Sequence, residues 1–146
     1  MSLYNHILLA IDLSEDTDQL INKVKLLAQS SETELSMIHV IEPLSFAYGG
    51  DVPMDLTAIQ TQLDEHAQSK MASYRKQLEY PVKQCHVVSG HTETEIHRVA
   101  DENQCDLIIV GSHGRHGLAL LLGSTANGIL HGAKCDVLAI RVGSEK

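Results

Sequence analysis

Short aliphatic runs alternate with amphipathic stretches along the whole chain, and this alternation limits the possible folds more than any other feature. "HILLAID" (His6 to Asp12) is apolar at nearly every position. A half-exposed strand would alternate apolar and polar side chains. The run therefore predicts a central parallel strand buried on both faces. In "LSEDTDQLINKVKLLAQSS", Leu20, Ile21, Val24, Leu27 and Ala28 fall at helical spacing. Ser14 is the expected N-cap, with acids in the first turn. "ELSMIHVIE" (Glu34 to Glu42) predicts a second strand, and the apolar series from Leu56 to Leu78 a long helix. A third strand is expected over Pro81–Gly90, a short helix over Thr92–Asn103, a fourth strand at "DLIIVG" and a fifth at "DVLAIRV". The last helix is expected between those two strands, from about Ser124 to Gly132.

Strands that alternate with helices build a parallel sheet with helices on both faces, and right-handed crossovers make it an open doubly wound α/β fold. With strand order 3-2-1-4-5, Asp12 and Gly111 would flank the crevice where ligands settle in such sheets. The length, 146 residues, suits one domain over residues 1–146. The net charge of −8 argues against a nucleic-acid partner, because no basic face is available to neutralise phosphates. No run approaches the roughly 18 apolar residues of a membrane span. The N-terminus lacks the basic region of a signal peptide, so a cytoplasmic location is expected. Cys85, Cys105 and Cys135 form no CxxC pair and read as reduced, structural thiols.

"IIVGSHGRHGLALLLGST" (Ile108 to Thr125) carries the chemistry. A strand that enters a glycine-rich turn and then a helix suits phosphate. Backbone N–H groups converge there without interference from Cβ atoms, and the helix start adds partial positive charge. Ser124 and Thr125 stand where their hydroxyls either meet a phosphate or cap the helix. A purely structural glycine turn fits the same spacing. The segment is neither a Walker A loop nor a dinucleotide fingerprint. His113 and His116 lack the further ligands a zinc site needs. His39 reads as a hydrogen-bonded core imidazole. Leu118–Leu122 reads as core or dimer burial, and Tyr48-Gly49-Gly50 as a crevice cover or a disordered stretch.

"HILLAIDLSED", "MIHVIEP", "DLIIVGSHGRHGLALLLGSTANGIL" and "CDVLAIRV" together resemble the universal stress protein family of the UspA type, across essentially the whole chain. The resemblance implies a five-stranded parallel sheet with four helices, of the adenine-nucleotide alpha-hydrolase-like type. It also implies a cytoplasmic, stress-induced homodimer joined through the last strand, working with further protein partners. One branch of the family binds ATP through two glycines separated by two residues, then nine residues, then Gly-Ser/Thr. Gly111 and Gly114 match the first pair, and Gly123, Ser124 and Thr125 the end, but Arg115 to Leu122 holds eight residues where the pattern has nine. A one-residue deletion moves backbone donors by up to about 3.5 Å, as far as a hydrogen bond is long.

Carried over by position, Asp12 approaches the ribose or Mg2+, and Val40 meets adenine through its backbone. Gly111, His113 and Gly114 form the phosphate and ribose loop, and Gly123, Ser124 and Thr125 supply the remaining phosphate donors. For Asp12 the alternative is a structural cap or an acceptor for a loop N–H. The implied ligand is ATP or another adenine nucleotide, with or without Mg2+. No residue is assigned a catalytic role, and slow ATP hydrolysis is the most turnover expected. The alternative is a module that binds no nucleotide and works through protein contacts.

Overall fold

A computed structural model describes residues 3–29, 32–43, 56–113 and 123–143. The elements run β1 (His6–Ala10), α1 (Thr17–Gln29), β2 (Glu34–Ile41), α2 (Leu56–Leu78), β3 (Val82–Ser89), α3 (Thr92–Glu102), β4 (Leu107–His113), α4 (Gly123–Gly132) and β5 (Asp136–Val142). The strands form one parallel sheet in the order β3-β2-β1-β4-β5, the expected topology. Tyr48 to Gly50, Gly114, His116 and Leu118 to Leu122 lie outside the described residues.

The uniform apolarity of the strands is used on both sides. Leu9, Met37 and Ile109 point to the face covered by α1 and α2, where Leu20, Ile21, Val24, Met71, Tyr74 and Leu78 meet them. Leu8, Ile38, Ile108 and Val110 point to the other face, against Ile96, Val99 and Ala100 of α3 and Ile129 of α4. Each large aliphatic side chain buried this way contributes about 1.5–3 kcal/mol. The pairing of helices by face follows from right-handed crossovers. Chain steps from β1 to β3 travel one way across the sheet, and steps from β3 to β5 travel the other way. The third and fourth helices approach closely at Gly128, where an added Cβ would stand 2.8 Å from Glu93 Cγ.

At the start of β1, polar groups complete the packing. The Asp106 carboxylate accepts the Asn5 N–H at 2.9 Å and the His6 N–H at 3.0 Å, and the Asp106 N–H donates to His6 O at 2.9 Å. The buried His6 ring donates from Nδ1 to the Asn103 carbonyl (3.1 Å), which fixes the tautomer. Its Nε2 therefore accepts the Ser36 hydroxyl at 2.7 Å.

Several boundaries differ from the sequence expectation. Strand β1 ends at Ala10, because Ile11 to Asp16 form the turn into α1. Strand β4 runs two residues beyond Gly111, held by pairing of Ser112 with Arg141 and His113 with Val142. Ser14 does not cap α1 with its side chain. The helix begins at Thr17, whose N–H donates to the Ser14 carbonyl, and the Ser14 hydroxyl has no hydrogen-bond partner among the described residues.

Candidate functional site

Strands β1 and β4 are neighbours, with Leu9 opposite Ile109. The chain leaves them in opposite directions, β1 toward β2 and β4 toward β5. The connections beyond their carboxyl ends therefore diverge, and this switch point is the place where open α/β sheets bind ligands in a crevice. The sequence-selected residues take the following places in the fold. Asp12 follows β1 and is exposed; Val40 is buried near the end of β2. Gly111 lies in β4, His113 closes that strand, and Gly123, Ser124 and Thr125 open α4. Gly114 lies outside the described residues.

The turn after β1 is built by local polar contacts. Asp12 Oδ1 accepts the Ser14 N–H at 2.9 Å, the short loop that aspartate forms with the backbone two residues on. The Thr17 hydroxyl stands 3.5 Å from the same oxygen. Asp12 thus receives a loop N–H, the structural role left open for it, while remaining exposed. Between them Leu13 takes a left-handed φ of 63°. A branched side chain rarely accepts that conformation, and such strain gathers at ligand-binding turns. The Ser14 hydroxyl oxygen is buried and lacks a partner among the described residues. Sequence reasoning assigned Ser14 to a cap and missed this position, because a serine before a helix carries the same signature in both roles.

Gly111 differs from a glycine required by packing. An added Cβ would meet Val142 Cγ2 at 3.5 Å and Leu20 Cδ2 at 3.6 Å, ordinary contact distances. The electrostatics are acidic: Asp12 and Glu15 are exposed and Asp16 is buried in the same turn. A carboxylate repels phosphate, so Asp12 suits a sugar hydroxyl or a hard cation. Among the described residues no group of three or more His, Cys, Asp or Glu side chains is arranged to hold a metal ion.

His39 supports the turn from β2. Its Nδ1–H donates to the Ile11 carbonyl at 2.7 Å, immediately before Asp12. Burial lowers its pKa from the ordinary 6.5; the Ile11 bond and the Asp12 charge oppose the shift, and His66 adds to it. Burial also lowers the pKa of His86, with Arg98 and His6 acting in the same direction. The unfolded chain therefore takes up protons more readily than the native one. Stability is full above about pH 6.5 and falls as the pH drops through 6.5 toward the folded-state values. Urea midpoints at pH 7.5 and 5.5 check this. The midpoint is expected to be lower at pH 5.5, and the difference to shrink in the double variant His39→Gln, His86→Gln.

The sequence model described as the Universal stress protein family matches residues 3–141. Universal stress protein A homolog 1 of Coxiella burnetii (strain RSA 493 / Nine Mile phase I) is 40% identical over 139 residues, covering 94% of this chain and 96% of that protein. Among solved structures, hypothetical protein MJ0577 superposes with a TM-score of 0.77 at 28% identity, covering 99% of this chain and 100% of that one. A universal stress protein solved in complex with cAMP superposes with a TM-score of 0.68 at 19% identity, covering 96% and 98%. The family model spans nearly the whole chain and the relative matches it over most of its length, so the chain belongs to the Universal stress protein family.

Proposed function

We propose that this chain binds an adenine nucleotide, ATP in the first instance, in the crevice between the ends of β1 and β4. It would act as a cytoplasmic, dimeric stress-response module, signalling or protective, through binding rather than turnover. The observation that carries the reading is the turn after β1. It carries an exposed carboxylate at Asp12, a strained Leu13 and a buried Ser14 hydroxyl with no partner among the described residues. A buried hydroxyl without a partner costs about 1–3 kcal/mol, which a ligand oxygen would recover. In this reading Asp12 takes the ribose, and the Val40 backbone lies along adenine. Gly111, His113, Gly114, Gly123, Ser124 and Thr125 surround the phosphates. Mg2+, when present, is held mainly by phosphate and water, with Asp12 as its one carboxylate. The cAMP complex of a fold neighbour accords with an adenine ligand.

The dimer is proposed through β5, an open edge of the sheet whose central residues Val137, Leu138, Ala139 and Ile140 are uncharged. Leu138 is 37% exposed there. At the opposite edge, Lys83 and Glu34 form an ion pair at 3.1 Å, a charged guard against strand addition.

A second reading, protein contacts without nucleotide, is favoured by the eight-residue spacing from Arg115 to Leu122 and by the Ser14 N–H already held on Asp12. Thermal unfolding with and without Mg-ATP separates the two. A ligand that binds only the native state, at a hundred times its dissociation constant, stabilises by about 2.7 kcal/mol. The melting temperature should then rise by several degrees. A melting temperature unmoved at millimolar ATP supports the second reading.

A further inference from the structure

Two of the cysteines, Cys105 and Cys135, stand together at the end of the sheet remote from the crevice. Both are free thiols. Cys105 lies two residues before β4 and Cys135 one residue before β5, and these strands pair with Leu107 opposite Asp136. Extended back by one residue, the register sets Asp106 opposite Cys135, with Cys105 displaced by a single step. Neighbouring strands about 4.8 Å apart, rising about 3.3 Å per residue, bring the two Cα atoms to roughly 6 Å. That lies inside the window a disulfide spans.

The side chains share a face for a specific reason. Strict alternation would send Cys105 with Leu107 and Ile109 toward α1 and α2. Gln104, in the left-handed region at φ 58°, turns the chain first. Cys105 therefore joins the cluster beneath α3 and α4, where alternation also puts Cys135 with Val137 and Ala139. Both thiols line one cavity of about 320 Å³, beside Thr94, His97, Arg98 and Lys134, so a small reagent has room to reach them.

We propose that Cys105 and Cys135 are a modification site, which hydrogen peroxide converts into an intramolecular disulfide. The Cys135 thiolate, on the less buried residue, attacks a peroxide oxygen. The O–O bond breaks and hydroxide leaves, giving a sulfenic acid. The Cys105 sulfur, losing its proton, then attacks the Cys135 sulfur; the S–S bond forms, the S–O bond breaks and water leaves. Two thiols and one peroxide become one disulfide and two waters, with the sulfurs oxidised and the peroxide reduced. Burial pushes the Cys105 thiol up to about 11, with Cys135 and Asp106 adding to the shift. Burial also pushes Cys135 up, helped by Asp136 and Asp106. The pair is therefore two thiols at rest, and its oxidation accelerates with pH.

The test treats the full chain with hydrogen peroxide at pH 7 and pH 9, alkylates the remaining thiols, and maps peptides by mass. The expected product is a peptide pair joined through Cys105 and Cys135, about 2 Da lighter than the sum of the reduced peptides. It should form on the order of 100-fold faster at pH 9, and its melting temperature should rise by roughly 10 °C for a closed loop of about 30 residues. Cys85→Ser should keep the link and Cys135→Ser should abolish it. Cys105→Ser should do the same; should that buried substitution unfold the chain, Cys135→Ser decides alone. Both thiols alkylated after peroxide, sulfinic acid at either one, or a Cys135–Cys135 link between chains would each overturn the proposal.

Discussion

Leu9→Ala is expected to lower the unfolding free energy by about 3–4 kcal/mol. Leu9 is 0% exposed on the central strand and pairs with Met37 on one side and Ile109 on the other. Truncation removes the transfer energy of three carbons. It also leaves a cavity that two hydrogen-bonded neighbouring strands cannot collapse into. For a domain with about 5–15 kcal/mol in total, that is a large share, and the melting temperature should fall by roughly 10 °C. Urea unfolding checks it: the midpoint should drop with the slope unchanged. Leu27→Ala provides the contrast, since Leu27 is 51% exposed on α1 and its loss should stay within about 0.5 kcal/mol. Similar midpoints for the two variants would contradict the packing described for β1.

Asp106→Ala should cost about 2–3 kcal/mol for a different reason. The carboxylate accepts the N–H groups of Asn5 and His6 at the start of β1. Hydrogen bonds to a charged group contribute about 1.5–3 kcal/mol, and the N–H of the buried His6, once stranded, adds a desolvation cost. Asp106→Asn keeps one acceptor oxygen and should recover part of the loss. Hydrogen exchange localises the effect: the Asn5 and His6 amides should lose protection more than those of Leu8 or Leu9. Uniform loss across β1 would instead mean that the whole strand depends on this carboxylate.

The strands and both faces of the core were legible in the sequence because they rest on periodicity, whereas the order of the strands does not follow from it. Runs such as "HILLA" and "LIIV" are apolar on both sides only where both sides are covered. The turn after β1 was not legible in the same way. Whether Ser14 or Asp12 takes the role of local acceptor depends on the path of the intervening residue. A leucine at φ 63° leaves no propensity signal, since leucine normally avoids that region. The bond from His39 to Ile11, and the meeting of Cys105 with Cys135, join residues far apart in sequence, and only the register of paired strands sets them face to face. Glycine spacing singled out the segment from Gly111 to Thr125, but eight residues between Gly114 and Gly123 do not fix where the backbone donors of that segment end up.

The place of β1 in the middle of the sheet has a consequence during synthesis. Its partner on one side, β2, is translated almost at once, whereas its partner on the other, β4, begins a hundred residues later at Leu107. A nascent chain stopped after β3 would carry three paired strands with the hydrophobic flank of β1 open to solvent. Such a ribosome-bound half is a candidate for chaperone capture, and arrest of translation before and after Leu107 should separate captured from released chains.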